Sequence, residues 1–189
     1  MESVGFKEWA IVCEALGRGR QSIILRKGGI AEGRNGFSFR HSEFFLFPTF
    51  FHAQPEKVRK VDMKFNVVPS DQIDVRFFAK RELVKPITFW QTAQALEPLH
   101  ILNTEVVRER FEHDEAPGLQ VGFVRVFRVV PSWTFPDQKA YGGCRSWVKL
   151  PQPPSHLRFG PVLSEAQHVR RRNEFNQIID RAEAAGAGG

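Results

Sequence analysis

The chain has 189 residues, 42% hydrophobic and 25% charged, which excludes a disordered or fibrous polypeptide and leaves room for one well-buried domain, with or without a small appendage. Its formal charge of +6 is spread thinly along the sequence, so a solvated basic surface competes with a dedicated face for polyanions. Cys13 and Cys144 are the only cysteines and belong to no CxxC pair, which argues against a zinc knuckle or a disulfide scaffold and fits a reducing cytoplasm.

No apolar run approaches the roughly 20 residues that span a bilayer. The first twenty residues have acids ahead of their apolar run and no small-residue cleavage pattern, so they do not resemble a signal peptide. The expectation is a cytoplasmic protein without a membrane partner. Eighteen Phe against a single Tyr is the unusual feature of the composition. Phe carries a large apolar area and no polar handle, so most of these rings belong in a core.

In chain order, "WAIVCEAL" (9–16) and "QSIILR" (21–26) read as short strands, joined by "GRGR" as a hairpin whose glycines supply positive φ. "GFSFRHSEFFLFPTFFH" adds two strand-like pieces up to Pro48 and beyond. Val58, Val61 and Phe65 recur at helical spacing behind Pro55, which predicts a short helix over 55–65. Residues 73–90 have strand composition, and "FWQTAQALEPL" turns helical until Pro98. A second short helix begins at Asn103 or Thr104, both suited to an N-cap.

Residues 119–130 form the clearest strand, with Val121, Phe123, Arg125 and Phe127 on one face and Val124, Val126 and Arg128 on the other. A last short strand is "CRSWVKL". The prolines at 151, 153 and 154 then mark the expected end of the compact domain. Beyond them, Ser164 and Gln167 make a capping box, and Ala166, Val169, Phe175, Ile178, Ile179 and Ala182 form an apolar stripe up to Gly186. The fold expected is α+β: an antiparallel sheet or small, partly open barrel, a few short helices and a long C-terminal amphipathic helix. Residues 1–154 are read as one domain and 155–189 as a helical extension with a disordered tail.

Five features are candidates for chemistry. In "RKGG", Arg26 and Lys27 precede Gly28 and Gly29, whose backbone N–H groups could converge on an anion. The spacing excludes a Walker A loop and a dinucleotide fingerprint, so the alternative is a glycine turn leaving a strand. His41, Glu43 and His52 supply the residue types of a two-His, one-carboxylate metal site, and His41 and Glu43 would share a face if they lay on one strand. Glu43 with Asp62 and Lys64 is a weak match to a metal-dependent nuclease, since the Asp-x-Lys falls in the stretch read as helix.

Cys144 stands beside Arg145, and an adjacent cation favours the reactive thiolate; the competing reading is a packed loop. The arginines at 170–172 fit a solvated helix face before they fit a phosphate contact.

The blocks "KEWAIVCEAL", "ILRKGGIAE", "FFLFPTFFH", "LHILNTEVVRERF", "VRVFRV" and "GGCRSWVKL", in this order over residues 6 to 150, resemble a bacterial family known as the domain of unknown function numbered eighteen hundred and two. The resemblance brings no activity, cofactor or catalytic residue. It does imply a restriction or DNA-processing setting, because relatives occur joined to restriction-endonuclease-like domains, and it promotes "RKGG" and Arg145 as anion contacts. The leading expectation is therefore an accessory protein that binds nucleic acid or another anion. One rival is a metal- or cysteine-dependent hydrolase built on Glu14, His41, Glu43, His52 or Cys144. Another is an interaction module that docks on a protein partner, or on a second copy, through its C-terminal helix.

Overall fold

The computed structural model describes residues 2–27, 37–51, 53–59, 71–113 and 116–186. Two long strands organise it. β4 (Gln72–Ile87) and β5 (Leu119–Pro136) pair antiparallel from Gln72↔Pro136 to Ile87↔Leu119, with register shifts between Val75 and Phe77 and between Arg81 and Leu83. Such bulges increase the local twist and bend the ladder.

β3 (Glu43–Thr49) adds to β4 antiparallel, β1 (Val4–Trp9) adds to β3 in parallel, and β6 (Trp147–Lys149) closes that side of the sheet. On the other side, β2 (Ile23–Arg26) and β7 (Arg158–Pro161) pair with successive lengths of β5. The result is an open seven-stranded sheet of order β2-β5-β4-β3-β1-β6 with β7 beside β5. The α+β class is as expected, and every pairing between strands is antiparallel except β1 with β3.

Both faces of the sheet are covered, which explains the surplus of Phe. In "EFFLFPT" of β3, Phe44 and Leu46 enter one apolar cluster with Phe6, Phe123 and Phe175, while Phe45 and Phe47 enter a second with Phe78, Trp133 and Tyr141. A strand buried on both sides reads as a continuous apolar run instead of an alternating one. Edge-to-face ring pairs, such as Phe45 with Trp133 at 5.1 Å between centroids, order the second cluster.

Two expectations are corrected in the first sixty residues. In "WAIVCEAL", Trp9 ends β1 and the rest belongs to helix α1 (Ala10–Gly17), and there is no hairpin with residues 21–26; β2 pairs with β5 instead. All eight residues of α1 are buried, so it lacks the polar face whose spacing announces a helix. Gly17 ends it where a Cβ would stand 2.0 Å from the Phe77 ring. The helix expected over 55–65 is, as far as residue 59, a single 3-10 turn (Gln54–Lys57) followed by extended Val58, which bridges Leu102. Asp62, Lys64 and Phe65 lie outside the described residues.

Helix α2 (Trp90–Ala95) and helix α3 (Thr104–Phe111) fall where the pattern placed them. Asn103 caps α3, its Oδ1 accepting the Val106 N–H at 3.0 Å.

The prolines at 151, 153 and 154 do not end the packing, since β7 lies beyond them on the sheet and helix α4 (Glu165–Gly186) buries Phe175 and Ile179 in the main cluster. Ser164 and Gln167 form the reciprocal capping box. Along α4, His168 Nε2 lies 2.9 Å from Glu82, Glu165 pairs with Arg125 at 2.6 Å, Glu183 with Lys85 at 3.0 Å, and Arg171 donates to the Pro98 carbonyl. Arg172 also faces Glu82, so two of the three consecutive arginines tie the helix down.

Truncating Phe175 to Ala is expected to cost about 3–5 kcal/mol, the range for a fully buried ring, measured as a drop in the denaturant midpoint.

Candidate nucleic-acid interface

The ends of β1 and β2 stop beside helix α3, and the gap between them is a cleft of about 340 Å³. Trp9 contributes from β1, Arg26 and Lys27 from the end of β2, and Val106, Glu109 and Arg110 from α3, with His113 just past its end. Phe51 and Lys57 come from the segment that follows β3.

That segment is held by Gln54, which is itself buried. Its Oε1 accepts the Ile11 N–H at 3.3 Å, one of the free donors at the start of α1, and its Nε2 donates to the Thr49 carbonyl at 2.6 Å.

The cleft wall is a network of fixed charges. The Arg110 guanidinium donates from Nη1 to the Leu25 carbonyl at 2.8 Å and lies over the Trp9 ring, 4.7 Å from its centroid. Its Nη2 stands 3.9 Å from the buried Glu8 carboxylate, which also accepts the Trp9 N–H at 2.8 Å. Burial pulls the Arg110 pKa down from its ordinary value, Glu8 opposes that pull, and Arg26 adds to it. Arg26 donates from Nη2 to the Lys7 carbonyl at 2.6 Å and lies over Phe6, while its buried Nε has no hydrogen-bond partner among the described residues.

Lys27 donates to the Ala116 carbonyl, and Lys57 stands 3.8 Å from Glu109. Four cations thus meet one rim carboxylate and one buried beneath.

Arg26 and Lys27 therefore share a cleft, while Gly28 and Gly29 lie outside the described residues. Arg145 is exposed on the loop before β6 and does not line the cleft. It belongs to the neighbouring field all the same: the Lys7 ammonium, which donates to the Tyr141 and Gly143 carbonyls at 2.7 Å each, has its pKa lowered first by burial and then by both Arg145 and Arg26.

Of the metal-type residues, the two that are described, His41 and Glu43, each face a partner of their own. His41 precedes β3 and pairs with Glu2 at 2.6 Å, Glu43 opens β3 and pairs with Lys80 at 2.7 Å, and His52 lies outside the described residues. Among the described residues no three His, Cys, Asp or Glu side chains are grouped to hold a metal ion. Glu14 is engaged elsewhere, with Arg76 and Arg18.

Trp9, Phe51, Lys57, Glu109, Arg110 and His113 were not singled out from the sequence. One signal was available: Val106, Arg110 and His113 follow one another at helical spacing, so Arg on α3 and His just past its end continue a stripe that a purely structural helix would fill with apolar residues.

The model of the family described as a domain of unknown function, DUF1802, matches residues 5–174. The chain belongs to the DUF1802 family. The match runs past the prolines and into α4. No curated protein matches the chain.

Among solved structures, the crystal structure of ASCH from Zymomonas mobilis is similar at 15% identity, covering 89% of this chain and 91% of that one with a TM-score of 0.42. A tyrosine-to-phenylalanine mutant of the same protein gives 14%, 90%, 96% and 0.41.

The two thiols of this DUF1802 domain stand in opposite surroundings. Burial pushes the Cys13 thiol well up, with Glu8 and Glu14 adding to the effect, whereas Cys144 is exposed. One thiol per chain is expected to react at once with a disulfide reagent such as DTNB, and the second only in denaturant; two fast thiols would contradict this placement.

His100 is also buried, its Nδ1 accepting the Leu102 N–H at 3.1 Å. Desolvation, and then the charges of Arg59 and Arg110, push its pKa down to about 3. The folded state holds this ring neutral while the unfolded chain protonates it near pH 6.5, so its contribution is complete above 6.5 and is lost as pH falls from there towards 3. Against a His100→Asn variant, the wild type should lose stability over that window with an extra slope of up to about 1.4 kcal/mol per pH unit, read from denaturant melts.

Proposed function

We propose that this domain is a nucleic-acid-binding accessory module, and that its contact surface is the cleft between the ends of β1 and β2 and helix α3. The observation that carries the reading is the meeting of Arg26, Lys27, Lys57 and Arg110 with the rings of Trp9 and Phe51 in one cleft. Cations neutralise phosphates and release counterions, and aromatic rings give affinity that does not depend on sequence.

Arg26 and Arg110 are anchored by backbone carbonyls and ring faces, so their guanidinium groups are held in place before a ligand arrives. Lys7 and Arg145 extend the positive potential towards the loop before β6, which gives a phosphate chain a direction along which to leave the cleft. A restriction or DNA-processing setting, implied by the family resemblance, belongs to the proposal and makes DNA the first polymer to try.

The test is fluorescence anisotropy with labelled DNA and RNA at low salt and at a series of salt concentrations. Binding should weaken steeply with salt, and a Lys27→Ala/Lys57→Ala variant should show a slope of log K against log salt smaller by about 1.5. Absence of salt-sensitive binding to either polymer at tens of micromolar protein overturns the reading.

A further inference from the structure

We propose that the cleft seats a single unpaired base against the ring of Phe51, so that the domain prefers single strands, or extruded nucleotides, to closed duplex. The inference rests on the nucleic-acid reading above and adds what part of the polymer enters.

Phe51 is 42% exposed, one of three exposed Phe side chains among the described residues with Phe50 and Phe89, and of the three it is the one that lines this cleft. It is not a loose ring. Trp9 meets it edge to face, 5.1 Å between centroids at 70°, Trp9 is itself covered by the Arg110 guanidinium, and Arg110 is fixed by the Leu25 carbonyl. A relay of three contacts therefore holds an exposed aromatic face at a set angle, which is what a stacking platform requires.

The volume agrees. A cleft of about 340 Å³ lies at the small end of ligand pockets and suits one nucleotide, not a base pair with its two backbones. The polar groups are distributed accordingly: Lys27 and Lys57 carry charge on long stems suited to flanking phosphates, and Glu109 and His113 provide an acceptor and a ring nitrogen for a base edge. In a duplex the base faces are already stacked, so reaching Phe51 would require extrusion at an unstacking cost.

The experiment compares a short fluorescein-labelled single strand, an abasic strand with the same number of phosphates, and a blunt duplex of the same sequence, each as DNA and as RNA. The intact strand should bind about tenfold tighter than the abasic one in at least one of the two polymers, with the duplex resembling the abasic strand. Phe51→Ala should close the gap by weakening only the intact strand, Phe51→Tyr should keep it, and Lys27→Ala/Lys57→Ala should weaken both strands alike.

Since Phe51 lies outside the core clusters, its variants should melt at the wild-type temperature, and a thermal scan checks this. Equal salt-sensitive binding of intact and abasic strands overturns the seated base while leaving the nucleic-acid reading standing, as does a duplex bound more tightly than its single strand. Failure of all strands to bind overturns both.

Discussion

The ladder between β4 and β5 carries the rest of the molecule because it runs almost the full length of both strands and each face must be covered. β3 can then lie beside β4 with aromatic residues on both sides, β2 and β7 can share the free edge of β5, and helices α1 and α4 can close one face. The ion pairs along α4 are mostly exposed, and pairs of that kind each contribute little. Their role is one of register: the apolar seam of Phe175 and Ile179 supplies the energy, and the charges settle where the helix lies along it.

The cleft owes its character to a conflict between burial and charge. Glu8 is buried and Arg110 largely so, and a carboxylate in that position would be costly without its cation. Together, and with the Leu25 carbonyl, the Trp9 amide and the Trp9 ring as further partners, they form a rigid charged wall. An ion pair of this kind adds little net stability against an apolar replacement, so its value lies in orientation: it fixes Trp9, and through Trp9 the exposed Phe51.

Much of the architecture could be read from sequence where local signals and tertiary structure agree. Asn103 and Ser164 announced their helices because a cap is a local device, and the long strand at 119–130 announced itself by composition. Helix α1 could not be recognised, since burial on every side erases the periodicity that distinguishes a helix from a buried strand.

The prolines at 151, 153 and 154 misled for a related reason: proline punctuates the local path of the chain, but β7 and Phe175 are secured by partners distant in sequence. For the site, Arg26 and Lys27 were legible as cations beside glycines, yet Trp9, Phe51 and Arg110 join them only through the three-dimensional meeting of β1, α3 and the segment after β3.

Gln54 gives the cleft a division of labour. Its carboxamide ties the Phe51-bearing segment both to the first turn of α1 and to the end of β3, so the backbone beneath the aromatic platform is set by interior elements. Lys57 hangs from the same Gln54-held turn, whereas Glu109 and His113 reach the mouth from α3 and from just past its end and share none of that tie. On the proposed reading, ligand preference can drift by exchange of the rim residues on the α3 side while the Phe51 segment stays in place, as an instrument changes its lens without changing its mount.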